Sequence, residues 1–477
     1  TTSVHYLNNW FDHHWDCDIN FLADIFNTDA RMWWPRDESM DCLRQMAYTS
    51  TFDNNSNKWK KAGGRNKKGD RVAEIVHFVA IKSKDTKEDE SNKVQLGRYS
   101  HLERIVMSYC RAYDSTTTYL PFLIPMPKNY EEFKTYLKKI GSGEFTGKSL
   151  TREETKAAIK LMLKEEASAA QIGGFMIAHR IRRPIPEELA GMIDAYIELG
   201  PKIQSPSNQR QPIFFGMPFD GRKKTAPIYP LTTLLLLTQK QPVILHGGSR
   251  MPVKYGVTHN ELFQALGINL TGLSIEQLQS FFNHNDLALI HQPDHFPLAE
   301  NLIPYRDQIG KRPPLASMEL IWTCHQGSHL HISGYVHSPT EERHWKTLEL
   351  MGEQNVITIK GLEGGIDLSI SRSSTIGQYK NQHGTRTVFH PKDYECSGKD
   401  VEWSDITEWK KFALQALNGE GPLIKALEWN TGIYFFYAGI SSDIKEGINK
   451  AKEVINSGFA LKQLEKLIHW SDENIDS

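Results

Sequence analysis

The rhythm of apolar and polar positions changes twice along the chain. From Thr1 to about Asn129 no period is sustained. Tryptophans and polar residues are mixed there, and two charged, apolar-poor stretches interrupt, Lys58 to Arg71 and Lys82 to Glu90. Between them, Val72 to Ile81 reads as a strand or short helix. From Tyr130 to about Gly200 the spacing becomes helical. Thr151-Arg-Glu-Glu154 is a capping-box pattern, and Ala157, Ile159, Leu161, Met162 and Leu163 follow it. Ser168 opens a second helix carrying Ile172, Phe175, Met176 and Ile177. Pro184 and Pro186 punctuate, and Glu187 to Leu199 forms a third.

Past Gln211 short apolar runs alternate with helical spacing. Pro212 to Phe215, Pro242 to Leu245, His331 to His337 and Asn355 to Lys360 read as strands. Glu261 to Leu266, Ile275 to Asn283 and Glu341 to Met351 read as helices. Such alternation predicts an α/β fold, a mostly parallel sheet flanked by helices. The expected organisation is an N-terminal block of unassigned role over 1–129, a helical subdomain over 130–205, joined by helices from about 257–300, and a larger α/β domain over 206–477.

Composition narrows the classes. Apolar residues make up 39% and charged residues 24%, with a formal net charge of -1. That balance points to neither a nucleic-acid nor a membrane partner. No apolar run approaches the ~18 residues of a membrane span; Leu231 to Leu237 is short enough to be a core segment. Cys17, Cys42, Cys110, Cys324 and Cys396 are scattered, odd in number and form no CxxC, so free thiols in a reducing compartment are expected. The opening residues show no secretory pattern, and the start at Thr1 leaves room for a removed upstream segment.

Candidate chemistry gathers after the strands. Gly216-Met-Pro-Phe-Asp-Gly221 is a glycine-containing turn that could approach a phosphate, although such turns often serve geometry alone. His246-Gly-Gly-Ser-Arg250 ends a second strand with donors suited to an anion, or is a tight turn with an exposed arginine. Arg306 and Arg312 could clamp a carboxylate or phosphate, or be solvated. His329, His331 and His337 sit in a strand-like segment, His329 and His331 sharing a face by alternation; a metal pair is conceivable, but no carboxylate or Cys completes a site. His13, His14, Asp16, Cys17 and Asp18 match no zinc spacing. The chain has no GxxxxGK[ST], GxGxxG or GxSxG.

An ordered series of segments resembles the anthranilate phosphoribosyltransferase family over about 130–477. It includes Thr151-Arg-Glu-Glu, Glu166 to Arg180, Glu187-Glu-Leu-Ala-Gly191, His246 to Arg250, Gln264 to Leu270, His295-Phe-Pro-Leu-Ala299, Tyr305 to Gly310, Asn418-Gly-Glu-Gly-Pro422 and Ala451 to Leu467. The resemblance implies the nucleoside-phosphorylase class II type of fold with its site in the cleft between the two domains. It also implies homodimerisation through the helical domain. The implied activity is transfer of the phosphoribosyl group of PRPP to an aromatic amine, with Mg²⁺ and release of pyrophosphate, a step of tryptophan biosynthesis. Implied ligand-binding positions are Gly216, Asp220, Thr225, His246, Gly247, Arg250, Lys254 and Arg306, the last falling on the arginine that contacts anthranilate. Asp367, with Glu363 as a substitute partner, falls on the metal pair.

The departures cluster on the PRPP side. The family's Gly-Thr-Gly-Gly-Asp loop reads Gly216-Met-Pro-Phe-Asp220, so Pro218 has no N–H to donate and Phe219 is bulky. Pro227 and Tyr229 replace the Asn and the metal-contacting Ser, Gly248 replaces the Asn after His-Gly, and Ile366 replaces one metal carboxylate. The pattern resembles a divergent, cyanobacterial or plastid-type paralogue, expected in cytoplasm or plastid stroma. The expected ligand is PRPP or another phosphorylated anion. The alternative is an inactive paralogue that binds a protein or nucleic acid, for which Lys58 to Arg71 is the candidate patch.

Overall fold

The computed structural model describes residues 129–143, 146–206 and 210–475, plus the backbone of two short strands in the preceding block. Those strands, β1 (Ser50–Asp53) and β2 (Lys58–Lys61), pair antiparallel with Phe52 opposite Trp59. They belong to a separate compact unit spanning Thr1–Met126. Val72 to Ile81 and the His13 to Asp18 cluster lie outside the described residues.

The unit Pro127–Ser477 begins with four helices. They are α1 (Tyr130–Gly141), α2 (Arg152–Leu163), α3 (Ala169–Arg182) and α4 (Pro186–Leu199). Thr151 and Glu154 close the expected capping box on α2, and Ser168 with Gln171 closes another on α3. Each box satisfies two otherwise unpaired amides. Pro186 starts α4 with its ring where no N–H is needed. The inward faces meet as Phe133 on Phe175, with Ile159, Met162 and Met192 buried beside them.

The larger part is built on a seven-stranded sheet. Its strands are β4 (Ile213–Gly216), β5 (Val243–Gly247), β6 (Leu287–His291), β8 (Leu330–Gly334), β9 (Val356–Ile359), β10 (Ser374–Lys380) and β11 (His383–Phe389). Two residues each of β3 (Ile203–Gln204) and β7 (His325–Gln326) pair separately. The order is β11-β10-β9-β8-β4-β5-β6, parallel from β9 to β6, with an antiparallel hairpin at the far edge. Strands β4, β5, β6 and β9 are wholly buried and largely apolar, as parallel strands covered on both faces must be, whereas β8 carries His331 and Ser333.

Helices α5 (Tyr229–Thr238), α6 (His259–Ala265), α7 (Ile275–Asn285), α8 (Ile303–Gln308), α9 (Ser338–Leu350), α10 (Ile406–Leu417), α11 (Ile424–Tyr437), α12 (Ile444–Asn456) and α13 (Phe459–Ile475) complete this unit, with shorter turns between them. The Leu231 to Leu237 run is α5, buried on every side. Helices α6 and α7 pack on the β5–β6 side, whereas α8 packs on α3 and α9 on α4. The strand expected over His331 to His337 stops at Gly334. There a Cβ would meet the Gly364 carbonyl at 2.1 Å, and the chain turns into α9 with Pro339 in its first turn. No helix among the described residues is long and apolar enough to cross a membrane.

Chain direction across the sheet sets the site. From β4 the path moves outward to β5 and β6, then returns to the other side of β4 as β8 and β9. The carboxyl ends of β4 and β8 therefore flank a topological switch point, where open α/β sheets form ligand crevices.

Candidate functional site

A cleft of ≈ 840 Å³ opens at that switch point. Its walls come from the end of α3, the loops after β4 and β8, the segment 312–320 and the start of α9. Among the positions implied by resemblance, Asp220, Arg306 and Glu363 line it.

The loop after β4 lacks an N–H at Pro218 and uses that of Gly221 within itself. Gly216 is required because a Cβ would lie 1.9 Å from the Leu320 carbonyl. Met217 and Phe219 are 3% exposed, and Pro218, Phe219 and Asp220 border the cleft. The Gly221 N–H donates back to the Pro218 carbonyl at 3.1 Å, with Gly221 at φ +76°. The expected loss of the phosphate cradle thus has a physical form: the bulky side chains became core.

Behind the loop, Arg222 connects both candidate metal carboxylates. Its Nε donates to Glu363 Oε1 at 3.2 Å and its Nη1 to Asp367 Oδ2 at 2.8 Å. Asp367 is fully buried, also accepts the Ile228 N–H at 3.0 Å, and does not line the cleft. The Glu363 carboxylate accepts the N–H groups of Lys224 at 2.8 Å and Thr225 at 3.0 Å, and Lys254 Nζ stands 3.5 Å away. Burial pushes the Glu363 carboxyl up, but Arg222, these amides and Lys254 outweigh it and hold it down at about 2. Lys254 also donates to the Gly221 carbonyl at 2.7 Å, and Thr225 Oγ1 to Glu363 at 3.2 Å. Magnesium needs open oxygen ligands in octahedral array. Here Asp367 Oδ2 and Glu363 Oε1 are committed to Arg222 and backbone amides, among the described residues only Asp367 Oδ1 is left without a partner, and the cation between the two carboxylates is the Arg222 guanidinium, so the residues present do not fit that ion.

Other implied positions lie away from the cleft. His246 is 1% exposed, accepts the Cys324 N–H at 3.1 Å and packs edge-on to Phe214 and Trp322. Burial and neighbouring histidines push its imidazole well below the usual value. The His259 ring closes over Gly247. Arg250 is exposed and donates to Glu261 at 2.7 Å. Tyr229, at the replaced serine position, is hydrogen-bonded to His259 Nδ1 at 2.7 Å.

Arg306 is neutralised in place. Its guanidinium makes a two-pronged pair with Glu319 at 2.8 and 3.0 Å, both side chains 3% exposed. Breaking one partner of such a pair costs about 3–5 kcal/mol. The Glu319→Gln protein is therefore expected to show a clearly lowered thermal midpoint by calorimetry; an unchanged midpoint would contradict the pairing.

Sequence reading missed most of the cleft's positive charge. Arg180, Arg183, Arg306, Arg312 and Arg343 all line it. Arg312 Nε pairs with Asp220 at 2.7 Å, and Arg306 with Glu319. Among the described residues Arg180, Arg183 and Arg343 have no carboxylate partner. Burial, then the charge of Arg183, pushes the Arg343 guanidinium below its ordinary value. The N-terminus of α9 faces the same space through Pro339, Thr340 and Arg343, without a side-chain cap. The Thr340 N–H donates to the His337 carbonyl at 2.8 Å, Arg180 to the Arg312 carbonyl at 2.6 Å and Arg343 to Thr340 Oγ1 at 3.3 Å, so what favours an anion here is the uncompensated guanidinium charge beside the positive end of the α9 dipole. Arg180-Ile-Arg-Arg183 was visible in the sequence, but basic residues ending a helix ordinarily serve its dipole.

The comparisons agree with this architecture. The sequence profile of the glycosyl transferase family, helical bundle domain, matches residues 134–200. That of the glycosyl transferase family, a/b domain, matches 241–461. Anthranilate phosphoribosyltransferase of Persephonella marina is 25% identical over 350 residues, 71% of this chain and 98% of the relative. That of Polynucleobacter necessarius is 23% identical over 325 residues, 67% and 94%. The Thermus thermophilus enzyme superposes with TM-score 0.60 at 21% identity, covering 71% of this chain and 99% of that one. The Saccharomyces cerevisiae enzyme in complex with PRPP and Mg gives 0.62 at 16% identity, covering 72% and 98%. The chain belongs to the anthranilate phosphoribosyltransferase family, with the family's helical bundle and α/β domains together.

Proposed function

We propose that the chain is a phosphoribosyltransferase-type protein whose cleft binds PRPP and transfers its phosphoribosyl group to an amine acceptor. The observation that carries this reading is the set of arginines without carboxylate partners, Arg180, Arg183 and Arg343, beside the uncapped start of α9 at the switch point. Family relatives that share the fold are anthranilate phosphoribosyltransferases, one of them solved in complex with PRPP and Mg.

In the proposed reaction the bond from ribose C1 to the pyrophosphate oxygen breaks, and the oxygen leaves with the electron pair. The acceptor nitrogen forms the new bond to C1 and releases its proton to solvent. The protein supplies no nucleophile. Arg183 and Arg343 hold the departing negative charge, and the cleft walls align donor and acceptor. Asp220 orients Arg312, while Arg222 fixes the loop by tying it to Glu363 and Asp367. No step passes through magnesium. Gly216, Thr225 and Lys254 support this wall from behind; His246, Gly247 and Arg250 have no part in it. Homodimerisation through the helical subdomain belongs to the same proposal, and light scattering reads it.

The test is pyrophosphate release from PRPP in the presence of a panel of aromatic amines. Acceptor-dependent release above the spontaneous hydrolysis of PRPP is expected. No acceptor-dependent release, with PRPP bound but unconsumed, would rule out transfer while leaving the cleft's anion site intact.

A further inference from the structure

A second polar cluster lies at the opposite end of β8 from the cleft, and nothing in the proposed reaction uses it. His329 and His331 bracket the start of β8 and share a face by alternation. No carboxylate or Cys near them in the sequence completes a site. The fold brings one from the turn after α9: ligand atoms of His329, His331 and Glu353 all lie within 4.8 Å of one another. Glu353 reaches this position because its N–H closes back on the Leu348 carbonyl at 2.9 Å as the helix ends.

The details suit coordination. The His329 Nδ1–H donates to the Gly327 carbonyl at 3.1 Å, which leaves the Nε2 lone pair facing Glu353 Oε2 at 3.5 Å. A backbone carbonyl on the far nitrogen is the usual way a metal-ligating histidine is oriented. His331 is completely buried, and among the described residues neither of its ring nitrogens has a hydrogen-bond partner. A buried imidazole left so costs stability unless something occupies a lone pair. Glu353 is a partly buried carboxylate whose charge a cation would neutralise. It also borders a pocket of ≈ 230 Å³ shared with Cys324, His325, Leu348 and Met351, which gives an ion and a water access.

We propose that His329, His331 and Glu353 form a binding site for a divalent first-row transition metal, suited to Zn²⁺, with water from the adjoining pocket completing a tetrahedral set. Two imidazoles and a carboxylate are a borderline donor set that favours zinc over magnesium or calcium. Bound there, the ion ties the start of β8 to the end of α9 and so clasps the crossover that carries Arg343 and the α9 N-terminus.

The experiment uses the full chain, stripped with a chelator and titrated with Zn²⁺ alone against a chromophoric competitor. One saturable equivalent is expected, and a rise in thermal midpoint with it. The Glu353→Gln protein should bind more than about a hundredfold more weakly, beyond the roughly 10- to 100-fold of an outer-shell change. Its metal-free midpoint should match that of the parent, and zinc should no longer raise it. A His13→Ala, His14→Ala, Cys17→Ser protein should keep the equivalent, because the N-terminal cluster is the competing location. Loss of the equivalent in that protein, its persistence in Glu353→Gln, or no saturable binding to the parent would each overturn the proposal.

Discussion

Replacing Arg343 by glutamine is expected to weaken binding of PRPP or pyrophosphate by about 10- to 100-fold and leave the thermal midpoint unchanged or raised. The two effects have different origins. A hydrogen bond from a charged donor to an anion contributes about 1.5–3 kcal/mol net, which gives the fold-change. In the free protein the same guanidinium stands half-buried, beside the charge of Arg183 and with no carboxylate to offset it. Removing it relieves that repulsion. Stability held back for the sake of a ligand is a signature of a binding residue. Titration calorimetry and scanning calorimetry on one preparation read both quantities. A variant that loses stability but keeps affinity would make Arg343 a structural residue.

Arg222→Gln should behave in the opposite way, with unfolding free energy falling by about 3–5 kcal/mol as buried Asp367 and Glu363 lose their common cation. The pH dependence follows from the direction of each shift. Glu363 has a folded value of about 2, below its ordinary value of 4.5. Its contribution is therefore present above the ordinary value and lost as pH falls from there through about 2. Burial pushes Asp367 up, against Arg222 and backbone donors. Without Arg222, protonation becomes its cheaper state. The difference between parent and variant should be large at neutral pH and shrink towards pH 2. Urea unfolding across that range measures it; a difference independent of pH would remove the carboxylates from the explanation.

Arg222 also stands where the resemblance implies a metal ion. Where the resemblance implies two carboxylates and an ion, one carboxylate is replaced by Ile366. The remaining Asp367 joins Glu363 on a guanidinium. Two covalently attached cations, Arg222 and Lys254, face these two carboxylates. On the acceptor side Glu319 cancels Arg306. An acceptor held by its carboxylate at Arg306, as the resemblance implies for anthranilate, therefore meets a position already filled.

Local chemistry made much of the fold legible. Capping boxes at Thr151 and Ser168, Pro186 before a helical run and short apolar strands before glycines each act within a few residues. β6 and the β10–β11 hairpin were not foreseen. β6 is a short apolar run hard to tell from the helix beside it, and β11 is exposed on both faces, so it has no two-residue period. The site was legible only by halves. Asp220, Arg306 and Glu363 sit in segments with a family pattern. Their partners Arg312, Glu319 and Arg222, and the unpaired Arg183 and Arg343, meet only through the crossover topology, which residue spacing does not encode. The same holds for Glu353, which joins two histidines from beyond a complete helix.

The central claim is that the cleft binds a phosphorylated ligand through arginines and the α9 N-terminus, with Arg222 in the place of a divalent ion. The most direct measurement is calorimetric titration of PRPP into the full chain, once in EDTA and once with Mg²⁺. One-site binding of similar affinity in both, displaced by pyrophosphate and weakened by added salt, is the predicted result. Binding that appears only with Mg²⁺, or in neither condition, would contradict the account.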